Sequence, residues 1–184
     1  FTLYKYVFDR NDVLFSLLYD SLKQLHYSPN KLDDKFSEQV FDQFLNTDFH
    51  KKFLLQSDID LLSRYKHDID NQISEQRQDF FKATREIVEK RVKEKADWSE
   101  EMLASPMNYT INEEYEFDPN KMKYARTNEE LKDVWRKMLK YQVIYRLDDL
   151  LNRQEKAQEK GDTAVKIRPF DSLEVEARRK TLKA

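Results

Sequence analysis

The sequence predicts an all-α fold: an irregular multi-helix bundle with one long helix and an extended, aromatic-rich connector. Three observations predict it. Apolar residues recur at three- and four-residue spacing through successive segments, the period of a helix with one buried face. One Gly in 184 residues leaves too few positive-φ positions for an architecture of tight β-hairpins. Finally, 12 Phe, 10 Tyr and 2 Trp give such a bundle a core.

The first helix is expected over about Asp9 to His26. Val13, Leu14, Leu17, Leu18, Ser21, Leu22 and Leu25 form one stripe, and Ser28-Pro29-Asn30 ends it because the residue before Pro avoids the α region. The preceding Phe1–Phe8 is aromatic-rich and either extends this helix or forms an arm that docks elsewhere. A second helix starts near Asp33 and buries Phe36, Val40, Phe41, Phe44 and Leu45. Asn46–Leu55 reads as a connector anchored by Phe49, Phe53, Leu54 and Leu55. Ser57 caps a third helix, with Asp58 and Asp60 in its first turn and Ile59, Leu62, Tyr65 and Ile69 turned inward.

The longest early segment opens at Ser74 and reaches Ala104, with Phe80, Phe81, Thr84, Ile87, Val88, Val92 and Ala96 in step. At 1.5 Å per residue it spans about 45 Å, more than a compact bundle of this size needs. It therefore kinks near Asp97-Trp98-Ser99 or projects, and the kink is favoured. Ser105-Pro106 stops it. Met107–Lys123 alternates apolar and polar residues, which favours extended chain or a short strand. Thr127 and Glu130 make a capping box for a helix burying Leu131, Val134, Trp135, Met138, Leu139, Gln142, Tyr145 and Leu150. The sole Gly, Gly161, sits at its expected C′ position. Asp171 or Ser172 caps a last, basic helix holding Leu173, Ala177 and Leu182.

Composition excludes several function classes. With no Cys there is no disulfide, thiol nucleophile or thiolate metal site. A net charge of −2 argues against general nucleic-acid binding. No apolar run approaches the ~18 residues of a membrane span. His26, His50 and His67 lack the spacing that puts two metal ligands on one helical turn, so no metal and no cofactor is expected. None of the serines stands in a Gly-x-Ser-x-Gly elbow, and no catalytic residue is assigned. The adjacent carboxylates Glu113-Glu114 and Asp148-Asp149 read as solvated surface. So does the mixed-sign run Glu89–Lys95, as a face of i,i+4 pairs, and Arg178-Arg179-Lys180 is too short for firm phosphate binding.

Three stretches resemble a known family when taken in order. They are Leu25-His26-Tyr27-Ser28-Pro29 with Leu32–Leu45 and Asp48–Ile59, then Ser105-Pro106-Met107-Asn108-Tyr109-Thr110, then Trp135–Tyr141. The set resembles the N-terminal helical region of tail-specific proteases, or C-terminal-processing peptidases, of Gram-negative bacteria. It covers most of Leu14–Leu151, with Thr47-Asp48 standing where the family often has Leu-Asp.

The resemblance implies that the full-length protein is a periplasmic serine endopeptidase whose Ser/Lys dyad lies in a later domain, with a PDZ module that recognises substrate C-termini. Neither motif is in this chain, so no catalytic residue carries over. The expected layout is an aromatic arm over 1–10, a helical domain over 11–160, and a linker and basic helix over 161–184 leading toward the PDZ and protease region. Partners would be those two domains, protein substrates and an adaptor protein, with no nucleic acid. Within this frame Tyr109, Tyr115 and Phe117 are the candidate docking residues, against the alternative that they are core under a long loop. The alternative function is a free-standing helical interaction or adaptor module.

Overall fold

A computed structural model describes Leu17, Asp20, Ser21 and residues 31–46 and 48–184. Most of the expected first helix, His26 and the Phe1–Phe8 arm lie outside the described residues. Leu17, Asp20 and Ser21 are helical, with the Ser21 hydroxyl donating to the Leu17 carbonyl, but Leu17 is exposed rather than part of a buried stripe. The described helices are α1 (Asp34–Leu45), α2 (Asp48–Phe53), α3 (Gln56–Ser63), α4 (Ile69–Ser74), α5 (Asp79–Leu103), α6 (Asn128–Glu159) and α7 (Phe170–Leu182). Among the described residues there is no strand, only an isolated parallel bridge between Leu55 and Ala125. The all-α expectation holds, with the connector in extended chain rather than a strand.

The described residues form two compact units: those up to His50 with Gln56–Glu89, and Lys51–Leu55 with Lys90–Ala184. In the first, Asp33 caps α1 by accepting the Phe36 N–H at 3.1 Å. Phe41, Leu62 and Ile69 are its buried centre, and Val40, Phe44, Ile73, Phe80 and Ile87 pack around them. Each large side chain so buried contributes about 1.5–3 kcal/mol. Phe80 collects three rings, with Phe44 edge-on at 5.3 Å, Phe41 at 5.9 Å and Tyr65 at 6.1 Å. Ser37 ties α1 to the start of α4: its hydroxyl donates to the Asp70 carboxylate at 2.6 Å and accepts the Asp70 N–H at 2.8 Å.

Three local expectations are corrected here. The connector over Asn46–Leu55 contains the short helix α2. The third helix starts at Gln56, so Ser57 lies inside it; the helix stops at Ser63, and Ile69 belongs to α4 after a turn. Ser74 ends α4 instead of opening the long helix. The chain then turns through Gln76 at φ 55°, and Gln72 accepts the Phe80 N–H at 2.9 Å, satisfying one of the free donors at the start of α5.

In the second unit, α5 continues as unbroken helix through Asp97-Trp98-Ser99. Leu103, Leu139, Val143, Leu147, Leu150, Leu173 and Ala177 form the larger core, with Met102, Met107, Tyr109 and Trp135 packed on it. Thr127 caps α6 as expected, although the Glu130 carboxylate reaches the N–H of Arg126 rather than that of Thr127. At the other end Gly161, at φ 65°, makes a Schellman turn: its N–H bonds the Gln158 carbonyl and the Asp162 N–H bonds that of Ala157.

The buried stripe of α6 runs Leu139, Val143, Leu147, Leu150, Gln154 and Ala157, so Tyr145, expected inside, is 68 % exposed. Gln154 pairs with the Arg168 backbone as a strand neighbour would, accepting its N–H at 2.7 Å and donating to its carbonyl at 3.2 Å. Pro169, not Asp171 or Ser172, precedes α7, where Leu173 and Ala177 are fully buried and Leu182 is exposed. Among the described residues, no helix is long and apolar enough to cross a membrane.

A candidate docking groove beside the aromatic connector

Between α5 and α6 the chain runs as a connector whose first half is tied to α7. The Glu174 carboxylate, almost fully buried, accepts the Met107 N–H at 3.2 Å and the Tyr109 hydroxyl at 2.9 Å. Its other oxygen accepts from Arg178 at 2.8 Å, and that guanidinium donates onward to the Leu103 carbonyl at 2.6 Å. Arg178 is therefore a buried structural cation, not part of a basic surface run. Burial first, then the Glu174 carboxylate, raises the Tyr109 hydroxyl well above the usual phenol range. Its ring meets Phe170 edge-on at 6.1 Å.

The second half of the connector is pinned to α6. Glu113 takes Arg136 through both oxygens, at 3.0 and 2.6 Å, and Lys140 at 3.0 Å. These bonds, Arg136 before Lys140, hold its carboxyl down at about 2. Glu113 is thus a fastening and not solvated surface, while its neighbour Glu114 is exposed. The result is a groove of about 300 Å³ whose lining includes Tyr109, Ile111, Tyr115, Phe117, Tyr141 and Ile144. Tyr115 and Phe117 meet edge-on at 4.8 Å, and Phe117 meets Tyr141 at the same distance. Phe117, Ile111, Tyr141 and Ile144 are 56, 51, 45 and 43 % exposed. The Tyr115 hydroxyl is enclosed without a hydrogen-bond partner among the described residues.

All three sequence-flagged residues therefore line one groove, but in different ways. Tyr109 is bound into the core side, Tyr115 forms the floor, and Phe117 presents its ring outward. The α6 wall of Tyr141 and Ile144 was not foreseen. Its signal in the sequence was two large apolar residues off the stripe of a long helix.

A second site lies on the far part of α5, within the run expected to be solvated. Arg91 and Lys95 are buried there. The Lys95 ammonium stands 4.1 Å from the centres of both the Phe53 and Trp135 rings and donates to the Lys52 carbonyl. Burial, then the Arg91 charge, pushes its pKa down to about 7. The cage is closed by its own fibre of bonds: Trp135 donates to the Ser99 hydroxyl at 2.8 Å, which donates to the Lys95 carbonyl at 2.7 Å. Enclosed on every side, this lysine fastens residues 51–55 to α5 and α6. Lys51 adds a bond to the Pro119 carbonyl at 2.6 Å.

His50 is buried against Phe44, ring centres 4.0 Å apart, and burial lowers its pKa; His67 is exposed beside Glu38 at 3.4 Å. Among the described residues, no group of three or more His, Asp or Glu is placed to hold a metal ion.

The family model for the tail-specific protease N-terminal domain matches residues 18–183. A tail-specific protease of Haemophilus influenzae is 30% identical over 125 residues, 67% of this chain and 18% of the relative. The chain thus spans about a fifth of the length of that curated relative.

Proposed function

We propose a scaffold and docking role from one premise: the chain belongs to the tail-specific protease N-terminal domain family. In this reading it packs against the PDZ and protease domains of a periplasmic serine endopeptidase and offers a surface to protein substrates or an adaptor, and the Ser/Lys dyad lies elsewhere in the protein. The observation that carries it is the groove formed by Tyr115, Phe117, Tyr141 and Ile144, where aromatic side chains stay exposed beside a rigidly fastened connector. Exposed aromatics on a fixed frame are the raw material of binding hot spots, because they bury much area at little entropic cost. The buried ionisable groups support the scaffold half of the reading. Glu174, Arg178 and Asp70 are each engaged in structural hydrogen bonds, and Lys95 is enclosed.

The test is the full-length protease carrying Tyr115→Ala and Phe117→Ala together. Cleavage of a short unstructured peptide should stay at the parent rate, whereas cleavage of a whole protein substrate should slow. Unchanged cleavage of both overturns the docking role. Osmotic-shock fractionation checks the compartment.

A further inference from the structure

Beside the groove, the backbone of residues 111–117 has no partner of its own kind. Among the described residues, none of its N–H groups donates a hydrogen bond. Of its carbonyls only that of Ile111 is taken, by the Lys140 ammonium. Residues 112–118 contain no helix, turn or bend. Over 112–116 burial alternates as it does along a strand: Glu113 and Tyr115 are half-buried, Asn112, Glu114 and Glu116 exposed. An extended edge with unpaired donors and acceptors is a template for another strand.

The charges on this edge are unequal. Glu113 is neutralised by Arg136 and Lys140, and Lys137 is held by Asp133 at 3.1 Å. Glu114 has no partner among the described residues, and Glu116 only accepts the N–H of Asp118. Two unneutralised carboxylates two residues apart lie on the same side of an extended chain. Tyr115 and Phe117 alternate with them along the chain and line the groove with Tyr141 and Ile144, at whose rim Glu114 also lies.

We infer that residues 111–117 are an open strand edge that takes up an extended peptide by β-addition. The occupant sets apolar side chains over Phe117, Tyr141 and Ile144 and basic ones opposite Glu114 and Glu116. Backbone pairing supplies affinity and the alternation supplies selectivity. The inference rests on the docking reading above and names its ligand as a segment in which apolar and basic residues alternate.

The experiment uses this chain and an end-capped, fluorescein-labelled nonapeptide of alternating valine and lysine, read by anisotropy and by amide hydrogen exchange. Binding is expected, with new protection confined to 111–117. Methylating alternate backbone nitrogens of the peptide should weaken it by about tenfold or more, since the side chains remain and the donors are gone. Glu114→Lys with Glu116→Lys should weaken it about tenfold and favour a valine–glutamate counterpart. No binding of the valine–lysine peptide, or protection appearing elsewhere, overturns the inference. Equal binding of the methylated peptide overturns β-addition while leaving side-chain docking in the groove intact. Protection of 111–117 that rises with protein concentration alone overturns it in favour of a second copy on the edge. Failure of the docking reading itself shows separately, in the protease carrying Tyr115→Ala and Phe117→Ala.

Discussion

The ammonium of Lys95 lies 4.1 Å from the centre of the Trp135 indole and equally close to the ring of Phe53. Two opposed effects meet at that nitrogen. Burial favours the neutral amine and pushes the pKa to about 7, while the ring faces and the Lys52 carbonyl favour the cation. The folded value therefore lies below the ordinary ~10.4 of the unfolded chain. Between about 7 and 10.4 the unfolded chain binds more protons, so stability rises with pH there, by at most about 1.4 kcal/mol per unit. Urea midpoints at pH 6.5, 8 and 9.5 should show the parent gaining on Lys95→Met, which keeps the apolar stem. A parent that gains nothing on that variant across this range would show the rings outweighing burial.

Glu113 and Glu176 predict the acid limb. Each carboxyl is held at about 2 by two cations, Glu113 by Arg136 and Lys140, Glu176 by Lys180 and Arg168. Their unfolded value is near 4.3, so their stabilisation is complete above that pH and is lost as pH falls from about 4.3 through 2. Glu113→Gln and Glu176→Gln should each flatten acid unfolding across that window, and the double variant should flatten it further. Circular dichroism from pH 6 to 1.5 reads this. Only Glu113→Gln should also open the connector to limited proteolysis, because of these two carboxylates only Glu113 bonds the connector to α6.

Ser37 is fully buried and serves Asp70 twice, as donor to its carboxylate and acceptor from its N–H. Ser37→Ala strands both groups at once. A cost of about 2 kcal/mol or more follows from leaving buried polar groups unpaired. Urea unfolding measures it, and Phe36→Ala, at a half-buried position beside it, provides the contrast for lost packing alone.

What the sequence made legible divides along physical lines. The Asp33 and Thr127 caps and the Gly161 turn were readable because their chemistry is completed within a few residues. The docking aromatics stood out because they interrupt helical spacing. Lys95 did not, because what makes its burial tolerable comes from remote chain, the Lys52 carbonyl and the Phe53 and Trp135 rings; Arg91 has a local counter-charge in Glu94 at 2.7 Å, but the Asn128 side chain that also takes it lies on α6. Tyr145 was misplaced for a related reason. Its period fits the helix equally well on two faces, and only the packing of Leu173 and Ala177 against Val143 and Leu147 decides between them.

Glu174 offers the sharpest test of how the connector is held. Its carboxylate, 3 % exposed, is the counter-charge of a guanidinium only 7 % exposed and the acceptor for Met107 and Tyr109. Glu174→Gln keeps an acceptor for the connector but leaves the Arg178 cation without its counter-charge. Breaking a buried pair from one side costs about 3–5 kcal/mol. Tyr109→Phe removes one hydroxyl contact and should cost about 1 kcal/mol. If Arg178 is the source of the larger penalty, Glu174→Gln with Arg178→Met should recover part of the loss, since no unpaired charge then remains inside. Urea unfolding of the two single variants and the double one decides it. A double variant as unstable as the sum of the two singles would place the cost in lost packing rather than in the stranded cation.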